Sequence, residues 1–398
     1  MTAFRLLAFC LFVCVCAACA GGEAVTSVAR WDSAGVTIVE SSSPGWSGSE
    51  AWSVDPEPLL DLATSGTGEA HWFYMASDAT RLPDGSIAVA ENNADEIRFF
   101  SGGGAFLRAV GRGGEGPGEF RWPSSVDRYR GDSLIVFDPQ LSRVTILDPQ
   151  WEASRIVSFR LPGAQVRDLR PLGDTTFVAR APLLWVPQER DGLYRKPDAL
   201  IRLSAAGEVM DTIATVAGYE EFQWESGAVS AVPLFLRDSH FAVHQGRIYV
   251  GDADQMEFRV YSVAGQLEYV VRAPTFDLSL SGQEIQAERE ARLGLNSSAR
   301  RRDLLDAIPD PETRPAYSDL LVDSDGFIWA EHSQGRTLKL MGDRPSQWTV
   351  FSPDGEWLGA VELPGRFYVF EIGWDYVLGR RHDDQDVEHV ELLRLNRH

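Results

Sequence analysis

Beyond residue 19 the chain has no cysteine: Cys10, Cys14, Cys16 and Cys19, the only four, fall within the first twenty of 398 residues. Disulfides, thiolate zinc sites and cysteine nucleophiles are therefore excluded from the body of the protein. Basic residues are scarce as well. Thirty-seven Lys and Arg stand against 58 Asp and Glu, a net charge of −21. That balance argues against nucleic acid and against anionic lipid surfaces, both of which demand clustered cations. Past the N-terminal segment no apolar run is long enough to cross a bilayer. Two catalytic signatures are missing too. There is no H-E-x-x-H and no G-x-S-x-G; Gly45-Trp-Ser-Gly-Ser49 departs from the latter at its last residue. The seven histidines are scattered, and His240 and His244 lie in a stretch that reads as strand, so zinc is not expected.

What is present begins with an export signal. Arg5, an apolar stretch from Leu6 to Val15 and a run of small residues form the pattern. Ala17-Ala18-Cys19 resembles the end of a lipobox, with Cys19 as the lipidated residue, although Cys16 stands where Leu is usual. Ordinary cleavage after Ala18-Cys19-Ala20 is the alternative and would leave a soluble periplasmic or secreted protein. The expected organisation is a signal over 1–19, a tether over 20–34 and one domain over 35–398. The chain would be exported to the cell envelope, facing the periplasm and touching the membrane only through its lipid.

Gly111 to Phe120, GRGGEGPGEF, matches the dinucleotide fingerprint G-x-G-x-x-G. That fingerprint works only where a helix follows, because the pyrophosphate rests on the helix's free N–H groups. Here Pro117 and Pro123 and the lack of 3.6-residue apolar spacing rule out a helix. The loop is instead one copy of a repeat: Gly68-Glu-Ala-His-Trp72 recurs fifty residues later as Gly118-Glu-Phe-Arg-Trp122, and Glu221-Phe-Gln-Trp224 reads as a third copy. Alternating apolar runs flank each copy.

The runs form meanders. Ser86 to Ala90, Glu96 to Phe100 and Phe106 to Val110 follow the Leu82-Pro-Asp-Gly85 turn, and the same order returns down the chain. Four-stranded meanders of roughly 40–50 residues are propeller blades, which close a ring to hide their edges. The expectation is an all-β, six-bladed propeller of four-stranded antiparallel blades. Leu59 to Leu62 would supply the outer strand of the last blade and join the two chain ends. Ser281-Gly-Gln-Glu284 is a capping box, so a short helical insertion is expected over about 275–316, between blades 4 and 5. Glu288 and Arg292 are spaced there for an i,i+4 pair.

GRGGEGPGEF, the Leu-Pro-Asp-Gly and Ser-Asp-Gly turns, and Pro315 to Leu320 before Asp325-Gly-Phe-Ile-Trp329 resemble bacterial six-bladed β-propeller proteins related to NHL-repeat propellers. The resemblance implies export, often lipid anchoring, and the fold. It carries over no catalytic residue.

One face of such a ring would hold tight turns. The other would hold the insertions Pro182 to Ala199, Gly218 to Leu234, Ala273 to Tyr317 and His332 to Gln347, the usual place for binding. The candidate residues on that face are Glu91, Asn92, Asp95, Asp138, Asp252, Asp254, Glu331 and His332. Among them Glu91, Asn92, Asp138, Asp252 and Asp254 have the oxygen chemistry of a Ca²⁺ site, similar in kind to that of six-bladed lactonases. On the innermost strands Asp78, Asp127 and Asp319 would face the channel and Asp168 and Asp238 would face away, with Arg81, Arg128 or Arg170 as partners. Trp72, Trp122 and Trp224 would wedge between blades. Two functions are in view: a monomeric module binding a protein or small molecule on the insertion face, and a Ca²⁺-dependent hydrolase or lyase at the channel mouth.

Overall fold

The computed structural model describes residues 27–161, 164–173, 175–185, 190–295 and 298–397. The export signal and Cys19 lie outside the described residues. Strands β1 (Val28–Ser33), β2 (Val36–Ser41) and β3 (Ser53–Asp61) precede six meanders. Sheet I holds β4 (Ala76–Arg81), β5 (Ile87–Glu91), β6 (Glu96–Phe100) and β7 (Phe106–Val110). Sheet II holds β8 (Ser125–Arg128), β9 (Leu134–Asp138), β10 (Arg143–Leu147) and β11 (Ala153–Ser158). Sheet III holds β12 (Asp168–Leu172), β13 (Thr176–Pro182), β14 (Gly192–Ser204), β15 (Val209–Trp224) and β16 (Val229–Ala231). Sheet IV is built on β17 (His240–His244), β18 (Arg247–Gly251), β19 (Glu257–Tyr261) and β20 (Leu267–Arg272). Helices α1 (Gly282–Leu295) and α2 (Ala299–Ala307) follow. Sheet V holds β21 (Asp319–Val322), β22 (Ile328–Glu331), β23 (Ser346–Phe351) and β24 (Trp357–Leu363), with α3 (Arg336–Met341) between its second and third strands. Sheet VI holds β25 (Phe367–Ile372), β26 (Tyr376–His382) and β27 (Glu388–Asn396), and β3 completes it.

Alternation along the strands explains the packing. On β5, Ile87 and Val89 pack towards sheet VI, while Ala88 and Ala90 pack towards sheet II. A strand with apolar residues on both faces must be covered on both. The same holds round the molecule: an apolar cluster joins each sheet to the next, and Leu378, Val390 and Leu392 of sheet VI return to Ala79 and Ile87 of sheet I. This radial stacking is a β-propeller arrangement. The first strands β4, β8, β12, β17, β21 and β25 all line one central cavity of about 420 Å³.

The N-terminal residues join the ends of the chain as expected. Leu60 pairs with Leu392 and Asp61 with Glu391. The structure departs from expectation in other places. Val28–Ser33, placed in the tether, is a strand paired with β2, and β2 runs parallel to β20, so sheet IV has six strands. Glu221–Trp224 is no loop copy. It ends the long strand β15, where Gly192 pairs with Gln223 and extends sheet III as a ribbon. Much of the expected loops over 182–199 and 218–234 is therefore strand, its backbone groups paired within the ribbon rather than left to water.

Candidate functional site

The Gly111–Phe120 loop works as a clamp between sheets. Phe120 is fully buried with Ile97 and Phe99 of sheet I and Val126 and Leu134 of sheet II. Its ring lies so close to Gly111, whose φ is 107°, that a Cβ there would fall 2.5 Å from it. Arg143 donates to the carbonyls of Glu115 at 2.7 Å and Gly116 at 2.9 Å, and also to that of Glu119. In the sister loop Arg98 donates to the carbonyls of Ala70 at 3.2 Å and Trp72 at 2.6 Å, and Phe73 is the buried wedge. The tryptophans do not wedge: Trp72 is 53% exposed and Trp122 37% exposed. Trp224 is half-buried, with Arg300 over its ring.

The candidate acids occupy these clamps. Asp138 accepts from the N–H groups of Arg121 at 2.8 Å, Trp122 at 3.1 Å and Leu141 at 3.0 Å. Glu91 accepts from Met75 N at 3.1 Å and Asn93 N at 3.3 Å, and burial pushes its carboxyl up. Asn92 is buried beside it, its N–H on Met75 O at 3.0 Å. Asp95 adopts a φ of 53° under the loop, its carboxyl raised by burial and by Asp138. Asp252 pairs with Arg259 at 3.0 Å, and Asp254 with Arg195 at 2.8 Å. Glu331 takes Lys339 Nζ at 2.5 Å and Ser318 Oγ at 3.0 Å. His332 lies 2.6 Å from Thr349 Oγ1 with its ring edge-on to Phe276, and burial pulls it down to about 4. The eight are thus engaged at separate places, Asp254 across to Arg195 of sheet III, and none of them lines the cavity. Among the described residues the one group of three potential ligands within reach of a common ion is Asp61, His389 and Glu391. Arg381 already neutralises Glu391 there at 2.7 Å.

The cavity draws on different residues. Arg170 stands 3.2 Å from Asp127, 3.7 Å from Asp168 and 3.8 Å from Asp78, bridging sheets I, II and III. Burial pushes the Asp78 and Asp127 carboxyls up against the pull of Arg170. Asp168 does not face away: it pairs with Arg180 as Asp319 pairs with Glu331, three residues past Phe177 and Ile328 respectively, and both line the cavity. Counting back from Phe177 and Ile328 gives the same interval, so the sequence already contained this answer. Asp238 lies outside β17 and takes Arg180 at 2.5 Å. Across the cavity Glu371 receives Thr80 Oγ1 at 2.5 Å and the Tyr376 hydroxyl. His240 and His244 also line the cavity, four residues apart and so on one face of β17, and burial lowers both.

The insertions are fastened together. Ser281 and Glu284 form the expected capping box. Glu288 and Arg292 pair at 2.8 Å but are buried rather than solvated. Glu288 accepts from Thr337 N at 3.1 Å and Leu338 N at 3.0 Å at the start of α3. Arg292 donates to the carbonyls of Val232 at 2.7 Å, Pro233 at 2.6 Å and Leu234 at 3.0 Å. Gly335, at φ 85°, leaves room for Glu288, since a Cβ would lie 2.8 Å from its Oε2. Lys339 of α3 reaches across to lie 4.6 Å over the Tyr368 ring of sheet VI. Around this assembly the insertion face exposes large apolar side chains, including Trp72, Tyr74, Trp122, Leu184, Leu340 and Met341, with Leu184 91% exposed. The tight-turn face exposes Val263 and Trp374, and Phe106, Leu107, Val209 and Met210 are exposed where the outer strands leave its turns. No motif in the sequence marked this difference, because whether a loop aromatic points in or out is settled by its neighbours.

No protein-family model matches the chain, and no curated protein matches it. Solved structures do resemble it. A candidate exported protein of Bacteroides fragilis is 12% identical, with a TM-score of 0.50 over 91% of this chain and 99% of that one. A member of the DUF4221 family from Bacteroides vulgatus is 13% identical, with a TM-score of 0.51 over 88% of this chain and 100% of that one. The β-propeller domain of Cps50 (Swd1) from Myceliophteria thermophila is 11% identical at a TM-score of 0.40, covering 85% and 98%. At such identities the first two establish likeness of fold alone; the third adds no argument.

Proposed function

We propose that the chain is a closed six-bladed β-propeller, exported and held at the cell envelope by lipid on Cys19, that docks a protein partner on its insertion face without catalysis. The observation that carries this reading is the set of exposed aromatic and long aliphatic side chains in the loops and insertions of that face, Trp72, Tyr74, Trp122, Leu184, Leu340 and Met341. Exposed side chains of this kind mark interaction sites. The net charge of −21 favours a partner whose surface is basic around an apolar centre.

A Ca²⁺-dependent hydrolase would need Glu91, Asn92, Asp138, Asp252 and Asp254 to share one ion. Asp138 accepts backbone N–H groups on both oxygens, Asp252 and Asp254 pair with guanidinium groups, and among the described residues no three of these carboxylates come within reach of one ion, so docking is the better reading. Metal analysis of the purified chain tests this directly; stoichiometric calcium lost in Asp252→Ala would revive the hydrolase.

Docking is tested by chemical cross-linking in cells. A cross-linked partner should disappear with Trp72→Ser/Leu184→Ser and persist with Trp374→Ser on the opposite face. The reverse pattern would overturn the assignment of the face. Cys19→Ser should release the protein from membranes; retention there would overturn the anchor.

A further inference from the structure

A second cavity, of about 340 Å³, lies away from the channel, between β15, the segment after β16 and the chain following α2. Its walls are rich in proline, and Leu193, Pro233, Phe235, Pro309 and Pro311 give it an apolar side alongside its polar residues. Glu220 also lines it, and its side chain is 90% buried, since only 10% of it is exposed. Oε2 of that carboxylate has no hydrogen-bond partner among the described residues. Arg237 Nη1 stands 4.0 Å away, too far to donate, because Arg237 is drawn off to Thr313 at 2.8 Å and Asp254 at 3.5 Å. Buried carboxylates are ordinarily paired, so an unpaired one in a cavity calls for a missing donor. The lining adds Asp310 and Glu312 against the single guanidinium of Arg237.

We propose that this cavity takes a primary ammonium group on a short apolar stem, with the Glu220 carboxylate as its counter-ion. The stem would lie against the prolines and Phe235, and the head would supply the donor that Arg237 withholds. A hard metal ion fits poorly, since it wants several converging oxygens and no second carboxylate reaches Glu220's. A guanidinium fork fits poorly as well, because Arg237 already flanks Oε2 and leaves one side of the carboxylate for a point donor. Burial pushes the Glu220 carboxyl up despite Arg237 and Arg195, in keeping with an acid still short of a cation, while Asp254 adds to the rise. The assignment does not depend on docking at the insertion-face aromatics.

The test is calorimetric titration of the full chain with n-butylamine hydrochloride, with n-butanol as the uncharged control. Saturable one-site binding of the amine is expected, with the alcohol at least tenfold weaker and Glu220→Gln at least tenfold weaker for the amine. Absence of saturable amine binding, or undiminished binding in a folded Glu220→Gln, would overturn the proposal. Should Glu220→Gln fail to fold, Leu193→Trp decides: it fills the cavity and leaves the acid in place, so unchanged amine binding would overturn the assignment equally. Nα-acetyl-lysine amide separates the sources. Tighter binding than butylamine points to a lysine of a protein, and weaker binding to a free amine. Trp72→Ser should leave the amine titration unchanged, so failure here and failure of face docking are read separately.

Discussion

Arg170 and Arg292 are both held among carboxylates inside the fold, yet their surroundings differ. Arg292 meets one carboxylate and three carbonyls at good distances, and Glu288 is in turn used up by the start of α3. Arg170 is part-exposed to the cavity and shared by three carboxylates, none closer than 3.2 Å. The first arrangement is satisfied and serves as a fastener. The second carries surplus negative charge that burial disfavours, and its balance depends on protons. Satisfied clusters hold a fold together; unsatisfied ones bordering open space are where ligands and pH act.

The largest effect should come from breaking the fastener. Glu288→Ala leaves Arg292 buried and α3 uncapped, and should cost about 3–5 kcal/mol. Urea denaturation checks this, and a loss under 1 kcal/mol would mean the insertions are not locked by this pair.

His332 tests whether the insertion side is also pH-sensitive. Its value falls from 6.5 to about 4 on folding. A histidine depressed in the folded state binds its proton first in the unfolded chain, so stability is lost as pH falls from 6.5 towards 4. The loss is at most about 3 kcal/mol. His332→Asn should flatten that limb of the stability profile; an unaltered limb would place the acid sensitivity elsewhere.

At Arg170 the sign runs the other way. Asp78 and Asp127 are raised above 3.8, so the stability linked to their protons is full below that value and is lost as pH rises through their folded values. Arg170→Leu removes the main pull in the opposite direction. It should steepen the decline, costing about 1–2 kcal/mol more at pH 8 than at pH 5. Equal cost at both values would show that these acids stay ionised throughout.

The fold was far more legible in the sequence than the site. Period-two alternation, Asp-Gly turns and the repeated loop are local, and they locate the meanders, the closing strand near Leu59 and the Ser281 cap. What a carboxylate does is not local. Glu91 and Asp138 have the composition of ion ligands, but N–H groups of nearby loops claim both oxygens of Asp138 and Oε1 of Glu91. Glu221–Trp224 matches the repeat in letters while pairing with Gly192 to Arg195 makes it strand. Asp168 is the exception: its register was available by counting, and the error lay in the expectation, not in any tertiary override. The Glu220 cavity had no sequence signal, since its walls come from four separated segments.

The smallest stability effect is expected where the comparison turns from buried charge to exposed aromatics. Trp72 and Trp122 occupy the same place in the two clamping loops, and a wedge at either position would cost several kcal/mol on truncation. Both instead face solvent while Phe73 and Phe120 fill the gaps between sheets. Trp72→Ser and Trp122→Ser should therefore shift stability by no more than about 0.5 kcal/mol, as measured by urea denaturation. A loss several times larger would return these tryptophans to a structural role and remove the strongest reason for assigning partner binding to this face. A near-zero change would mean that large aromatic groups are kept on the surface of a strongly acidic, otherwise well-buried protein without any return in stability, which is the pattern of residues retained for contact with something else.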